Sequence, residues 1–124
     1  MDFALDELQK ELASLAERIL RRGTDTARLA ELERHGGRLD PALWQELHAA
    51  GLTAIGLPET MGGAGLGFFE HCLVLEQQGK TVAPVPLAAH GAALMALHRA
   101  GLDDRAAAIA SGTGWLAASS RRDG

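Results

Sequence analysis

Leu5, Leu8, Leu12, Leu15 and Ile19 recur at alternating three- and four-residue steps, while Asp6, Glu7, Lys10, Glu11, Glu17 and Arg18 occupy the other faces. That period predicts an amphipathic helix over residues 3–22. Acidic residues near its start and Arg18, Arg21 and Arg22 near its end complement the helix dipole, and Gly23 stops it. The stripe lasts only about two and a half heptads, so packing on a core is favoured over a coiled coil. Thr24 or Asp25 caps a weaker second helix through about Arg34, carrying Leu29 and Leu32, before Gly36-Gly37 breaks it. Asp40-Pro41 is a strong start signal, a side-chain acceptor followed by proline at the first helical position. Leu43, Trp44 and Leu47 form the buried face of that third helix, and Gly51 ends it.

Helical patterning then stops from Gly51 to Gly67 and resumes after it. Glycine recurs through this stretch at 51, 56, 62, 63, 65 and 67, so the chain can turn sharply or approach its neighbours closely. Pro58 pushes Leu57 toward an extended conformation, with Ile55 and Leu57 as apolar anchors on the entering side. From Phe68 to Gln78 the pattern is helical again. Phe69, Cys72 and Leu73, with Phe68 and Leu75, make a wide apolar face that predicts burial on more than one side. Pro84 and Pro86 lie in an extended connector and favour a helix from about Pro86 to Ala100, with Leu87, Leu94 and Leu97 along it and Gly101 as its cap. Asp103 is placed to cap a last helix through Ala110, and Trp115 to Ser119 reads as a strand without a partner. The pattern as a whole predicts an all-α domain, a five- to six-helix orthogonal bundle with an extended C-terminal end.

Composition narrows the functional classes. The 124 residues are enough for one domain with a real core, and 47% hydrophobic content argues against disorder. A net charge of −4 with only isolated basic pairs offers no nucleic-acid surface. Cys72 is the single cysteine, which fits a reducing, cytoplasmic compartment. No run is long and apolar enough for a membrane span.

Several motifs tempt and fail. Gly63-x-Gly65-x-Gly67 needs its third glycine where Phe68 stands, and a strand before it, to be a dinucleotide fingerprint. Gly79-Lys80-Thr81 lacks the glycine that a phosphate loop requires at Val74. His35, His48, His71, His90 and His98 form no helical metal pair, Glu70-His71-Cys72 point in different directions, and the serines lie outside any nucleophile elbow. The residues give no internal catalytic constellation and no metal site.

Taken in order, Leu43-Trp44-x-x-Leu47, Gly51-Leu52, Leu57-Pro58-Glu59, Gly62-Gly63-x-Gly65, Leu75-Glu76-x-x-Gly79 and Ala83-Pro84 resemble the N-terminal helical domain of the acyl-CoA dehydrogenases over residues 3–119. Met61 stands where that family usually has an aromatic. The resemblance implies a domain over residues 1–112, with 113–124 as the start of a middle β-domain, although Ser119-Ser120-Arg121-Arg122 replaces the family's usual Thr-Glu-Pro continuation. It also implies an N-terminal domain, or a truncated or proteolysed product, of a FAD-dependent enzyme that dehydrogenates an acyl-CoA thioester across its α,β-bond. In that reaction a base takes the α-proton, flavin N5 takes the β-hydride, and an electron-transfer flavoprotein reoxidises the flavin. Neither the catalytic base nor the main FAD-binding surface is expected among these residues.

What the resemblance leaves to this chain is wall of the acyl pocket and subunit packing. Pro84, Val85, Ala88 and Ala92 are expected to face the acyl group. Val85, Ala88 and Ala92 also fall at helical i, i+3, i+7 steps, a spacing equally suited to close helix packing. Small alanines there would leave room for a bulky or branched acyl group. The expected partners are acyl-CoA, the electron-transfer flavoprotein, and dehydrogenase subunits in a homo- or hetero-oligomer. The alternative is a stand-alone helical interaction or scaffold module, inactive by itself, that partners a fuller dehydrogenase subunit; the apolar Phe68 helix and the unpaired Trp115 segment motivate it.

Overall fold

The computed structural model describes residues 4–37, 39–112 and 114, and among these it is all-α. Six helices follow in order: α1 Glu7–Arg22, α2 Thr26–Arg34, α3 Pro41–Ala49, α4 Phe68–Gly79, α5 Leu87–Arg99 and α6 Asp103–Ala110. A single 3-10 turn, Glu59–Met61, interrupts the loop between α3 and α4. The segment expected to be a strand, Trp115 to Ser119, lies outside the described residues.

Local chemistry sets the helix starts. Asp6 is extended and closes a capping box on α1, accepting from Gln9 N at 2.7 Å while its own N donates to Gln9 Oε1 at 3.1 Å. The helix therefore begins at Glu7, later than the hydrophobic period suggests. Its burial is centred on Ala16, Ile19 and Leu20 against α4, and Leu8 stands in solvent at the uncovered end. Asp25 caps α2 through Arg28 N at 2.8 Å. Asp40 caps α3 through Ala42 N and Leu43 N at 3.1 and 3.2 Å, with Pro41 in the first turn.

That third cap does a second job. No residue of α2 is buried, so the helix has little hydrophobic hold of its own. Arg28 instead grips Asp40 with two bonds, Nε to Oδ2 at 3.1 Å and Nη2 to Oδ1 at 2.8 Å. Asp40 is only 2% exposed, and the Arg28 guanidinium keeps its carboxyl below the usual range despite burial. One carboxylate thus starts α3 and ties α2 to it.

Two apolar clusters form the core, and the loop between α3 and α4 supplies both. Ile55 joins Ala16, Leu20, Trp44, Leu47, Val74 and others in the first. Ala54, Leu57 and Met61 join Leu94, Ala106 and Ala110 in the second. Ile55 and Leu57 are the buried anchors the sequence predicted. Gly51 ends α3 as expected, with the chain reversing so that Leu52 N reaches Leu47 O at 3.0 Å and Leu52 enters the core.

Two expectations are corrected here. The wide apolar face of α4 is not all buried: Phe68 and Phe69 are 64% and 54% exposed, while His71, Leu73, Val74 and Gln77 face inward. The α4 members of the first core cluster, Val74 and Leu75, lie in the second half of the helix. Asp103 is not the cap of α6 but its first residue, with Leu102 at the cap position, and its carboxylate lies 2.8 Å from His98 Nδ1 on the preceding helix.

Candidate functional site

The glycine-rich loop takes a shape that its glycines permit. Gly62 and Gly65 take positive φ, +84° and +69°. A Cβ on Gly63 would lie 2.2 Å from the Leu57 carbonyl oxygen. Five successive amides of this loop bond to its own carbonyls: Gly62 to Glu59 O, Gly63 to Pro58 O, Ala64 to Ala54 O, Gly65 to Leu57 O and Leu66 to Ile55 O. At the start of α4, Gly67 N donates to Glu70 Oε2 at 3.1 Å. The loop serves as a structural clasp between the two core clusters.

The four residues expected to face the acyl group separate into two groups. Pro84 is half-buried, and its carbonyl accepts from Asp40 N at 3.0 Å. Val85 is buried in the first core cluster, and its carbonyl accepts from Gln78 Nε2 at 2.8 Å. Because α5 begins only at Leu87, Val85 is not on the helix, and the i, i+3, i+7 argument does not apply to it. Ala88 and Ala92 are one turn apart on the solvent face of α5, and Ala96 continues that face by another turn.

Sequence reasoning missed what lies beside Ala92. Phe68 from the first turn of α4 and Met95, Ala96 and Arg99 from α5 join Ala92 around an open recess of about 380 Å³. Its lining is apolar apart from Arg99.

On its inner side, α5 meets α4 at Gly91. A Cβ there would lie 2.3 Å from His71 Cε1, so the two helices pack close enough to exclude one methyl group. His71 and His90 are both buried. Burial pushes the His71 pKa down, and for His90 desolvation, with His48 and His71 nearby, pushes it down to about 4. The His90 ring stands edge-on to Trp44, centroids 4.9 Å apart, and the Trp44 indole donates to Gly114 O at 3.3 Å. These are neutral packing histidines at pH 7. Among the described residues no group of three His, Cys, Asp or Glu side chains is placed to hold a metal ion.

The comparisons with known proteins agree with one another. The family model described as acyl-CoA dehydrogenase, N-terminal domain, matches residues 6–110. Acyl-CoA dehydrogenase FadE27 of Mycobacterium tuberculosis (strain ATCC 25618 / H37Rv) is 34% identical over 86 residues, 69% of this chain and 23% of that protein. Among solved structures, a variant of the Tcur3481-Tcur3483 steroid ACAD superposes with a TM-score of 0.81 and 38% identity, covering 90% of this chain and 32% of that one. The ChsE4-ChsE5 complex from Mycobacterium tuberculosis gives 0.77 and 31%, covering 89% of this chain and 31% of that one. The chain therefore spans a third or less of the length of these relatives. With six helices among its described residues and a family match over nearly all of them, the chain belongs to the acyl-CoA dehydrogenase family, as its N-terminal domain.

Proposed function

We propose that this chain acts within a FAD-dependent acyl-CoA dehydrogenase that dehydrogenates an acyl-CoA thioester across the α,β-bond, and that its contribution is acyl-pocket wall and subunit packing. The observation that carries the reading is the solvent face of α5, where Ala88, Ala92 and Ala96 lie exposed beside an apolar recess with Phe68 and Met95. Three small side chains in a row leave a shallow apolar surface that a hydrocarbon group can cover, and closing such a surface excludes water from the reacting centre. Pro84 stands at the entrance to the same helix. FAD and the catalytic base would be held by parts of the enzyme that correspond to the remaining length of the relatives. In this reading residues 1–112 form the domain and 113–124 lead into the next one.

The substrate class we favour is a bulky acyl-CoA, of steroid size. One structural neighbour is itself named a steroid ACAD, and alanine at 88 and 92 removes the side chains that would otherwise fill the space. Both neighbours carry paired names, one of them stated to be a complex, which supports a hetero-oligomer of dehydrogenase subunits. An electron-transfer flavoprotein would be the electron acceptor, and a cytoplasmic setting suits the lone Cys72. Among the described residues no helix is long and apolar enough to cross a membrane.

A second reading, an inactive helical module that partners a fuller dehydrogenase subunit, draws on exposed Phe68 and Phe69. Co-purification with candidate subunits, followed by a visible absorption spectrum and an acyl-CoA panel, separates the two. Bound flavin and turnover support the first reading, and a flavin-free complex whose turnover does not depend on this chain supports the second. Within an active enzyme, Ala88→Leu and Ala92→Leu should each shift preference toward smaller acyl groups; unchanged preference in both would remove the pocket-wall role.

A further inference from the structure

We propose that Gly56 sets how large an acyl group this domain admits, by giving the Met95 thioether a place against the loop, at the wall of the recess beside Ala92. The inference rests on the reading of the α5 solvent face as pocket wall. A Cβ at Gly56 would stand 2.7 Å from Met95 Sδ and 3.0 Å from its Cγ, too close for either to stay. Met95 at the same time lines the recess of about 380 Å³ together with Phe68, Ala92, Ala96 and Arg99. The thioether thus occupies space that exists only because residue 56 has no side chain.

Of the two groups in conflict, the side chain is the one that yields. The loop around Gly56 is fixed on both sides: Ile55 and Leu57 are buried in different core clusters, and Ala54 O accepts from both Leu57 N and Ala64 N. Met95 is half-exposed, unbranched and able to rotate about three bonds. The recess is the hollow that Met95 lines. An alanine at 56 therefore drives the sulfur toward Phe68 and Ala92 and narrows the space that a bulky or branched hydrocarbon would use, while a short linear chain makes less demand on it. Gly56 is a positioning residue in this scheme and touches no ligand itself.

The test uses the flavin-loaded dehydrogenase that contains this chain. The ratio of kcat/KM for a polycyclic acyl-CoA over a short linear acyl-CoA is measured for the parent, Gly56→Ala, Met95→Ala and the double variant. Met95 is followed in parallel by its 13C-methyl resonance. In Gly56→Ala the ratio should fall by about tenfold or more, the range expected for one misplaced methylene in an apolar pocket, with the loss mainly in KM and with a displaced Met95 methyl signal. Adding Met95→Ala should restore the ratio. A Met95 signal that moves while the ratio stays constant, or a double variant that recovers nothing, overturns the inference. Ala92→Leu measured alongside tells the two levels apart. If it lowers the ratio and Gly56→Ala does not, only the role of Gly56 falls; if neither does, the pocket reading falls with it.

Discussion

Gly91 on α5 packs directly against the ring of His71 on α4: a Cβ added at position 91 would come within 2.3 Å of His71 Cε1 and 2.6 Å of Nε2. The contact is between a buried backbone and a buried ring, so neither side has free space to retreat into.

Gly91→Ala should therefore destabilise the fold by about 1–3 kcal/mol, the usual cost of overpacking a core, even though alanine is the better helix former. Chemical denaturation of the two proteins checks this. Combining Gly91→Ala with His71→Ala should recover part of the loss, because the second change removes the atoms that clash.

Gly63 and Gly79 make an opposite pair. A Cβ at Gly63 would meet the Leu57 backbone carbonyl at 2.2 Å, and a backbone atom cannot rotate away. Gly63→Ala should cost about 3 kcal/mol or more. Gly79 ends α4 with nothing within 4 Å of its added Cβ. Gly79→Ala should instead stabilise by about 0.4–1 kcal/mol, by restricting the unfolded chain. Thermal melts of both variants should move in opposite directions.

The buried histidines give the stability a pH dependence of definite sign. The folded-state pKa of His90 lies at about 4 against an ordinary 6.5, and that of His71 is also lowered, so the unfolded chain binds more protons. Their contribution is fully present above pH 6.5 and is lost as pH falls from there toward 4. For His90 the loss reaches about 3 kcal/mol at the bottom of that window. Denaturation midpoints at pH 7.5, 6 and 5 should decline, and His90→Gln should flatten the decline while lowering the value at pH 7.5. A flat profile in the parent would refute the assignment.

Asp40 acts in a lower window. Its carboxyl is held below the usual value of 3.8, chiefly by the bond from Arg28, so its contribution is present above pH 3.8 and lost only below it. Asp40→Ala should cost about 1–2 kcal/mol for the lost helix cap alone. It should also release α2, visible as faster amide exchange at Leu29 and Leu32 than in the parent. Asp40→Asn keeps an acceptor for the cap but loses the ion pair, so it should preserve α3 protection while α2 still loosens.

Much of the fold was legible in the chain. The 3.6-residue period, the Asp25 and Asp40-Pro41 start signals and the breaks at Gly51 and Gly101 are local devices, and each works in the structure where the sequence placed it. The anchors Ile55 and Leu57 were legible too, since apolar residues leading into a proline turn have little alternative to burial. The order of these short motifs was enough to point to the family.

What the chain could not specify is which parts of each apolar face are covered, because that depends on where helices distant in sequence cross. Phe68 and Phe69 look like core from their pattern and lie in solvent, while His71 and Gln77 on the same helix turn inward. Val85 shares a nominal helical spacing with Ala88 and Ala92, yet the helix starts two residues later and leaves it in the core. The contacts of Gly56 with Met95 and of Gly91 with His71 join residues 39 and 20 positions apart and rest on single missing side chains. Local propensity fixes where helices begin and end; only packing decides which of their atoms meet.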